Sequence, residues 1–362
     1  MAPTILSSNL SPSELSYLHT SLSLTPPIRP DARTPTTFRP LVAETSLLPA
    51  CNGSARLCFA DGTEALVGVK AEVEKTPQIA SRGGFEGFED DASMGGIESE
   101  EGEPSKEKRR RGDEKWVEVT VDIPGQRDDD PLVVFLGAML HEALVADGTL
   151  AAKLWLGNRW HWKLYVDILL VSPLPPSASY PLPLLSLATH LALLCTFLPA
   201  PISSEDEDPL FNDDWDAALP LYPSSATSSL SSSLPGPTSS AAITVASKPP
   251  ITLLITAVGG NIFFDPSASE LAVAEAVLAV SVTRTEGSIG VLAIRTIDSP
   301  AKLTSSAEGV VDDGDGKGDE GVWRPPRGGM KRDVIRKMIK LVTEKGGVAD
   351  EVLDGLAALE TS

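Results

Sequence analysis

Apolar residues recur along this chain at two spacings, and each spacing predicts a kind of element. Leu15, Leu18 and Leu22 lie on one helical face. Ahead of them Ser11 stands as cap, Pro12 at the first helical position and Glu14 where it closes a capping box, with Leu10 and Leu15 as a staple. Residues 36–73 read as three strands ending in a hairpin at Asp61-Gly62, a dipeptide suited to a two-residue turn because both positions tolerate positive φ. Val117, Val119 and Val121 alternate through a strand at 116–123, and the mainly apolar run 131–145 is long enough for a helix. Residues 153–156 and 162–171 read as strands and 182–197 as a helix. Farther on, strands at 251–257 and 262–264 flank a Gly259-Gly260 turn, and a helix from Ser267 to about Ala276 precedes strands through Val280 and Val291. Val334, Ile335, Met338, Ile339 and Val342 mark a helix over 331–345, with Gly346 at its C′ position. Strand sets with helices arriving afterwards predict an α+β architecture.

Three stretches interrupt these rhythms. Residues 77–114 mix glycines, an acidic cluster and a basic run; 203–250 hold acidic residues and then Ser/Pro/Thr repeats; 305–327 contain VDDGDGKGDEG. Each has too few apolar residues to offset the entropy of ordering its backbone, so disorder is expected. The 30 prolines and 29 glycines agree with long irregular segments in an otherwise globular chain of 362 residues. The predicted organisation is an N-terminal docking helix and arm at 1–27, a first domain at 28–202 interrupted at 77–114, a disordered linker at 203–250, and a second domain at 251–362 interrupted at 305–327.

Charge narrows the function. Net charge is −20, from 50 Asp plus Glu against 30 Lys plus Arg. Such a surface is not a nucleic-acid binder as a whole, although a local basic path remains compatible with it. Cys51, Cys58 and Cys195 form neither a Cys-x-x-Cys pair nor an even set, which reads as reduced thiols of a cytosolic or nuclear protein. The start lacks a signal peptide's basic and apolar regions. The run 181–202 holds His190 and several prolines at about the ~20 residues a bilayer requires, so it reads as a buried helix of a soluble protein, with no membrane partner.

The order Arg29-x-Asp31-x-Arg33, then Asn52-Gly53-Ser54, then the Asp61-Gly62 hairpin resembles the opening of RNase PH-like domains. VGGNIFFDPSASELAVAEAVLAVSV resembles the second segment of that fold, where Asp265-Pro266 closes a strand before a helix. The resemblance spans roughly residues 28–202 and 250–362. It implies a first half like ribosomal protein S5 domain 2, a second RNase PH half, and membership among the ring subunits of the eukaryotic RNA exosome. The implied partners are other RNase PH-like ring subunits, S1/KH-type cap proteins, an associated exoribonuclease and single-stranded RNA passing through the assembled channel. The implied location is nucleus, nucleolus and cytoplasm.

Phosphorolysis requires cationic side chains and N–H groups around inorganic phosphate, and a carboxylate or metal at the leaving oxygen. Active members, as the resemblance implies, carry an arginine-bearing helix ahead of an acidic strand that ends in Asp-Gly. The matching helix here, LVVFLGAMLHEALVADG, has no arginine or lysine, and His141 reads as neutral and partly buried. The matching strand keeps Asp167, but Ser172-Pro173-Leu174-Pro175-Pro176 follows, and proline carries no N–H donor. These residues predict no catalytic site, no metal site and no cofactor. Asp265 reads as a helix cap, and Gly259-Gly260-Asn261 as a hairpin turn, not a phosphate loop. His19, His141, His161 and His190 lack metal-ligand spacing. Lys106, Lys108, Arg109, Arg110 and Arg111 are the candidate RNA contacts; a nuclear-import signal or a charge-balanced solvated loop are the alternatives. Lys331, Arg332, Arg336, Lys337 and Lys340 form the polar side of the last helix, and Arg159 and Lys163 bracket a turn. The expected function is a non-catalytic structural subunit. The alternatives are an active phosphate-dependent 3′–5′ exoribonuclease with a composite site and a ribosome-assembly RNA-binding module.

Overall fold

The structure is a computed structural model and describes residues 10–76, 112–157, 159–172, 179–202, 208–223, 247–285, 287–297 and 330–360. Helix α1 (Pro12–Ser23) begins as its sequence dictates: Ser11 Oγ accepts from the Glu14 N–H, and the Glu14 carboxylate accepts from the Ser11 N–H at 2.7 Å. Leu22 is fully buried, with Leu15 and Leu18 beside it, against Val258, Phe263 and Val273. The helix docks on this chain's own second half. Asn261 Nδ2 donates to the carbonyls of Leu22 and Leu24, at 2.7 and 2.8 Å, and so receives its C-terminal end.

Strands β1 (Leu41–Thr45), β2 (Gly53–Phe59) and β3 (Glu64–Lys75) form an antiparallel meander. Next come β4 (Val117–Asp122), α2 (Pro131–Val145), α3 (Thr149–Lys153) and β5 (Trp160–Leu170), with β4 and β5 parallel and the helices crossing between them. The sheet order is β1-β2-β3-β5-β4. Alternation fixes its faces: Leu57, Val67, Val69, Leu164 and Val166 are fully buried inside, while Lys70, Asp167 and Leu169 point outward.

Helix α4 (Leu182–Leu194) follows, and all 13 of its residues are buried. Short strands β6 (Phe197–Leu198) and β7 (Leu219–Pro220) pair with each other. The second sheet contains β8 (Ile251–Val258), β9 (Asn261–Phe264), β10 (Ala276–Thr285) and β11 (Ser288–Ile297), with α5 (Ala268–Ala272) between β9 and β10. Its strands are antiparallel in the order β11-β10-β8-β9. Helices α6 (Arg332–Thr343) and α7 (Val348–Glu360) complete the described chain. α4 packs on β2 and β3 on one side and β8 on the other, and α2 joins β4 to β8 and β11. A helix apolar all round is therefore the middle layer of one core. Among the described residues no helix is long and apolar enough to cross a membrane.

The β2–α4 contact leaves no space for a side chain at Gly53, where a Cβ would stand 2.3 Å from Thr196 Oγ1 and 2.6 Å from the Ala192 carbonyl. Gly53→Ala must push strand from helix, and a loss of about 1–3 kcal/mol in urea unfolding is expected, the usual cost of overpacking.

Several elements differ from their sequence patterns. Residues 153–156 are not a strand: α3 runs to Lys153, started by Asp147, whose carboxylate accepts from the Thr149 N–H, and Trp155 forms a lone bridge to His161. The helix after Ser267 stops at Ala272, because the Glu275 backbone N–H donates to the Ala257 carbonyl and draws the chain into the β8–β10 ladder. The Asp61-Gly62 connection spans residues 60–63, and only Gly62 of the pair has positive φ. The stretch 203–250 is not wholly a linker: residues 208–223 carry β7 and bury Leu221 and Tyr222, with Phe211 4.9 Å from Trp162 and Lys153 Nζ 3.5 Å over the Tyr222 ring. Composition averaged over a long window hid these anchors. The core of the interruption at 77–114, residues 77–111, and all of that at 305–327 lie outside the described residues. At the C-terminus α6 ends on Glu344, and positive-φ Gly346 leads directly into α7, an element the apolar pattern left unassigned.

Candidate functional site

The arm between α1 and β1 carries Arg29, Arg33 and Arg39, and all three are engaged by carboxylates of this chain. Arg29 is 2% exposed and grips fully buried Glu270 bidentately, Nε to Oε1 at 2.6 Å and Nη2 to Oε2 at 2.8 Å, while also donating to the Phe264 and Asp265 carbonyls. Arg39 forks onto Asp265, Nη2 to Oδ1 at 2.6 Å and Nε to Oδ2 at 2.9 Å, and Arg33 Nη1 reaches the same Oδ2 at 3.0 Å. Arg39 Nη1 also donates to Asp61 Oδ2 and Ser179 Oγ, and its guanidinium lies 4.4 Å over the Phe59 ring. Burial works against the Arg39 charge, but Asp265 and Asp61 outweigh it and raise its pKa. Burial likewise raises the Asp61 carboxyl, while hydrogen bonds from Thr63 and the Arg39 charge hold it below the usual carboxylate range.

Asp265 is therefore not the helix cap its position suggested. Ser267 caps α5, with Glu270 closing a capping box. Asp265, 1% exposed and at φ 47°, is the anionic centre on which arm, hairpin turn and second sheet converge. Its left-handed backbone is tolerated because a short polar side chain here has fixed partners. Sequence reading missed this role, because the chain holds three Asp-Pro dipeptides and nothing local sets Asp265-Pro266 apart from Asp130-Pro131 and Asp208-Pro209.

α2, β5 and Ser172 belong to the helix, strand and turn that the resemblance matches to a phosphorolytic pocket. α2 presents exposed Val134 and Ala138 and no cation; His141 Nε2 donates to the Val117 carbonyl at 3.2 Å. Asp167 is exposed on the outer face of the first sheet, in register with Gly68 and Thr120. Ser172 Oγ accepts from the Glu64 N–H, while Pro173, Pro175 and Pro176 lie outside the described residues. Arg295 of β11 forms a bidentate pair with Glu142 of α2, so this cation too has a carboxylate partner. Among the described residues, no arginine, lysine or histidine lines the trough that holds Asp167; Lys70, on the same face, pairs with Glu72 at 2.7 Å.

The histidines stay apart. His19 lies 3.5 Å from Glu275, His161 stacks on Trp116 at 4.3 Å, and buried His190 Nδ1 donates to the Pro249 carbonyl at 2.8 Å. Among the described residues no three His, Cys, Asp or Glu side chains gather as metal ligands. The Gly259-Gly260 turn joins β8 to β9, and the Gly259 N–H donates to Glu275. Lys331, Arg332, Arg336, Lys337 and Lys340 are exposed around α6, Arg159 is exposed, and Lys163 pairs with Glu118 at 3.2 Å. Lys106, Lys108, Arg109, Arg110 and Arg111 lie outside the described residues.

Comparisons with known proteins agree with this geometry. No family model matches the chain. It is 31% identical over 279 residues to Exosome complex component RRP42 of Saccharomyces cerevisiae, covering 75% of this chain and 81% of that one. It is 28% identical over 289 residues to Exosome complex component rrp42 of Schizosaccharomyces pombe, covering 75% and 78%. Among solved structures it is similar to a chain of an archaeal exosome core, with a TM-score of 0.53 and 16% identity over 95% of this chain and 96% of that one, a likeness of fold alone. The fold is the α+β, RNase PH-like one. With identity and mutual coverage of this extent, the chain belongs to the RRP42 family of exosome complex components.

Proposed function

We propose that this chain is a structural, non-catalytic subunit of an exosome ring, helping to form the channel that guides single-stranded RNA to a separate 3′–5′ exoribonuclease. The observation that carries the non-catalytic reading is the fate of the cations: Arg29, Arg33 and Arg39 are held by Glu270, Asp265, Asp31 and Asp61, and α2 supplies none. Among the described residues, no cation lines the trough in which Asp167 stands, so nothing there holds a phosphate. The relatives' names place them in exosome complexes, and the same assembly is proposed here, with other RNase PH-like subunits as neighbours, S1/KH-type cap proteins above the ring, and function in the nucleus, nucleolus and cytoplasm.

The sheets support assembly. β1 and β4 end the first sheet, β9 and β11 the second, and β11 exposes Val291 and Ile294 along its edge. An apolar edge strand left open invites pairing with another chain, so a neighbour that covers it protects both. Co-expression with other ring subunits is expected to yield a stoichiometric complex. Incubating that complex with RNA and inorganic phosphate is expected to release no nucleoside diphosphate from this subunit's cleft. Diphosphate release that Asp167→Ala abolishes would overturn the non-catalytic reading.

A further inference from the structure

The outer face of the first sheet carries a trough of about 430 Å³ that the ring reading does not use. Its floor is made by Leu66, Gly68 and Leu169. The loop between β1 and β2 folds over the same face and forms one wall with Leu48 and Cys51. Gly68 is what lets the loop lie down: a Cβ there would stand 3.2 Å from Cys51 Sγ and 3.4 Å from Leu48 Cδ1. On the other wall stand Asp122 and Asp167, both exposed and two register positions apart on β4 and β5. Neither carboxylate has an ionic or hydrogen-bonding partner among the described residues, and no described Lys, Arg or His lines the trough.

We propose that this trough is a docking site for a protein segment that carries a lysine or arginine among apolar residues. The long aliphatic stem of such a side chain fits an apolar floor while its charged head reaches the two carboxylates. Apolar surface continues along β5 through exposed Leu169 and Val171, which suits an extended polypeptide more than a compact ligand. RNA is the wrong occupant, because two unpaired carboxylates repel its phosphates and no cation compensates. The segment belongs to another exosome component, so the partner's identity rests on the proposed function while the site's chemistry does not.

Cys51 makes the test direct. In a Cys58→Ser, Cys195→Ala background, Cys51 is labelled with a benzophenone maleimide and the protein is reconstituted with its co-purifying subunits and irradiated. The expected product is a cross-link to a peptide containing Lys or Arg beside apolar residues. Asp122→Asn with Asp167→Asn is expected to lower its yield about fivefold, as loss of two exposed ion pairs implies, while Asp128→Asn with Asp129→Asn leaves it unchanged. Cross-links to RNA, to a segment without Lys or Arg, or at a yield indifferent to Asp122 and Asp167 would overturn the proposal, as would no cross-link in an assembled complex. Failure of the complex to form at all counts against the ring reading instead.

Discussion

Asp265→Ala is expected to cost roughly 3 kcal/mol of folding stability, because it removes the buried counter-charge of Arg39 and leaves it only the more exposed Asp61. Arg39 loses three hydrogen bonds at once, from Nε, Nη2 and its backbone N–H, and Arg33 loses one. Arg39 is buried where arm meets second sheet, so solvent is a poor substitute for the carboxylate there. Urea unfolding at neutral pH reads the loss, as does the soluble yield if the variant folds poorly. The companion is Arg39→Met with Asp265→Asn, which removes both charges, keeps a residue that tolerates the left-handed backbone, and is expected to recover more than half of the loss. A single variant within about 1 kcal/mol of the parent, the value of an exposed pair, would show the cluster to be solvated.

The second large effect is on pH. His190 is 1% exposed inside α4, and its burial lowers the imidazole pKa to about 4. Its Nδ1–H is used by Pro249 and its Nε2 is buried with no partner among the described residues, so protonation there adds an unpaired charge. In the unfolded chain the group titrates near 6.5. The unfolded state then binds the proton first, so stability is full above pH 6.5 and declines as pH falls toward 4. The whole decline from this one group is about 3 kcal/mol. Asn at 190 can keep a donor for Pro249 and does not titrate. The stability difference between parent and His190→Asn is therefore expected to narrow by that amount between pH 6.5 and 4. NMR supplies an independent check: a His190 ring resonance that titrates near pH 6.5 in the folded protein would sink the prediction.

Much of this was legible in the residues because local rules and tertiary packing agree. Ser11, Pro12 and Glu14 specify the start of α1 wherever it docks. The valines of β4 and the apolar run of α2 read correctly because their periods match the faces they bury. What was missed depends on distant partners. Asp265 follows a strand and precedes a helix, which is a cap position by local rules, yet Arg33 and Arg39 claim it from 232 and 226 residues away. Phe211, Leu221 and Tyr222 are too few to lift a polar window above threshold, but each meets an existing surface. At the site, the missing cations of α2 were visible in the sequence, whereas the trough needed the loop of Leu48 and Cys51 to be placed over Gly68.

α4 lies between two sheets that the ribosome completes at different times. When Leu194 has emerged, β2 and β3 can cover one flank, but the other waits for β8, which begins at Ile251. At roughly 5–20 residues per second that interval lasts several seconds. During it the nascent chain displays a greasy stripe with nothing to cover it, so early release from the ribosome or a stall between these points creates a sticky intermediate and a natural client for holding chaperones.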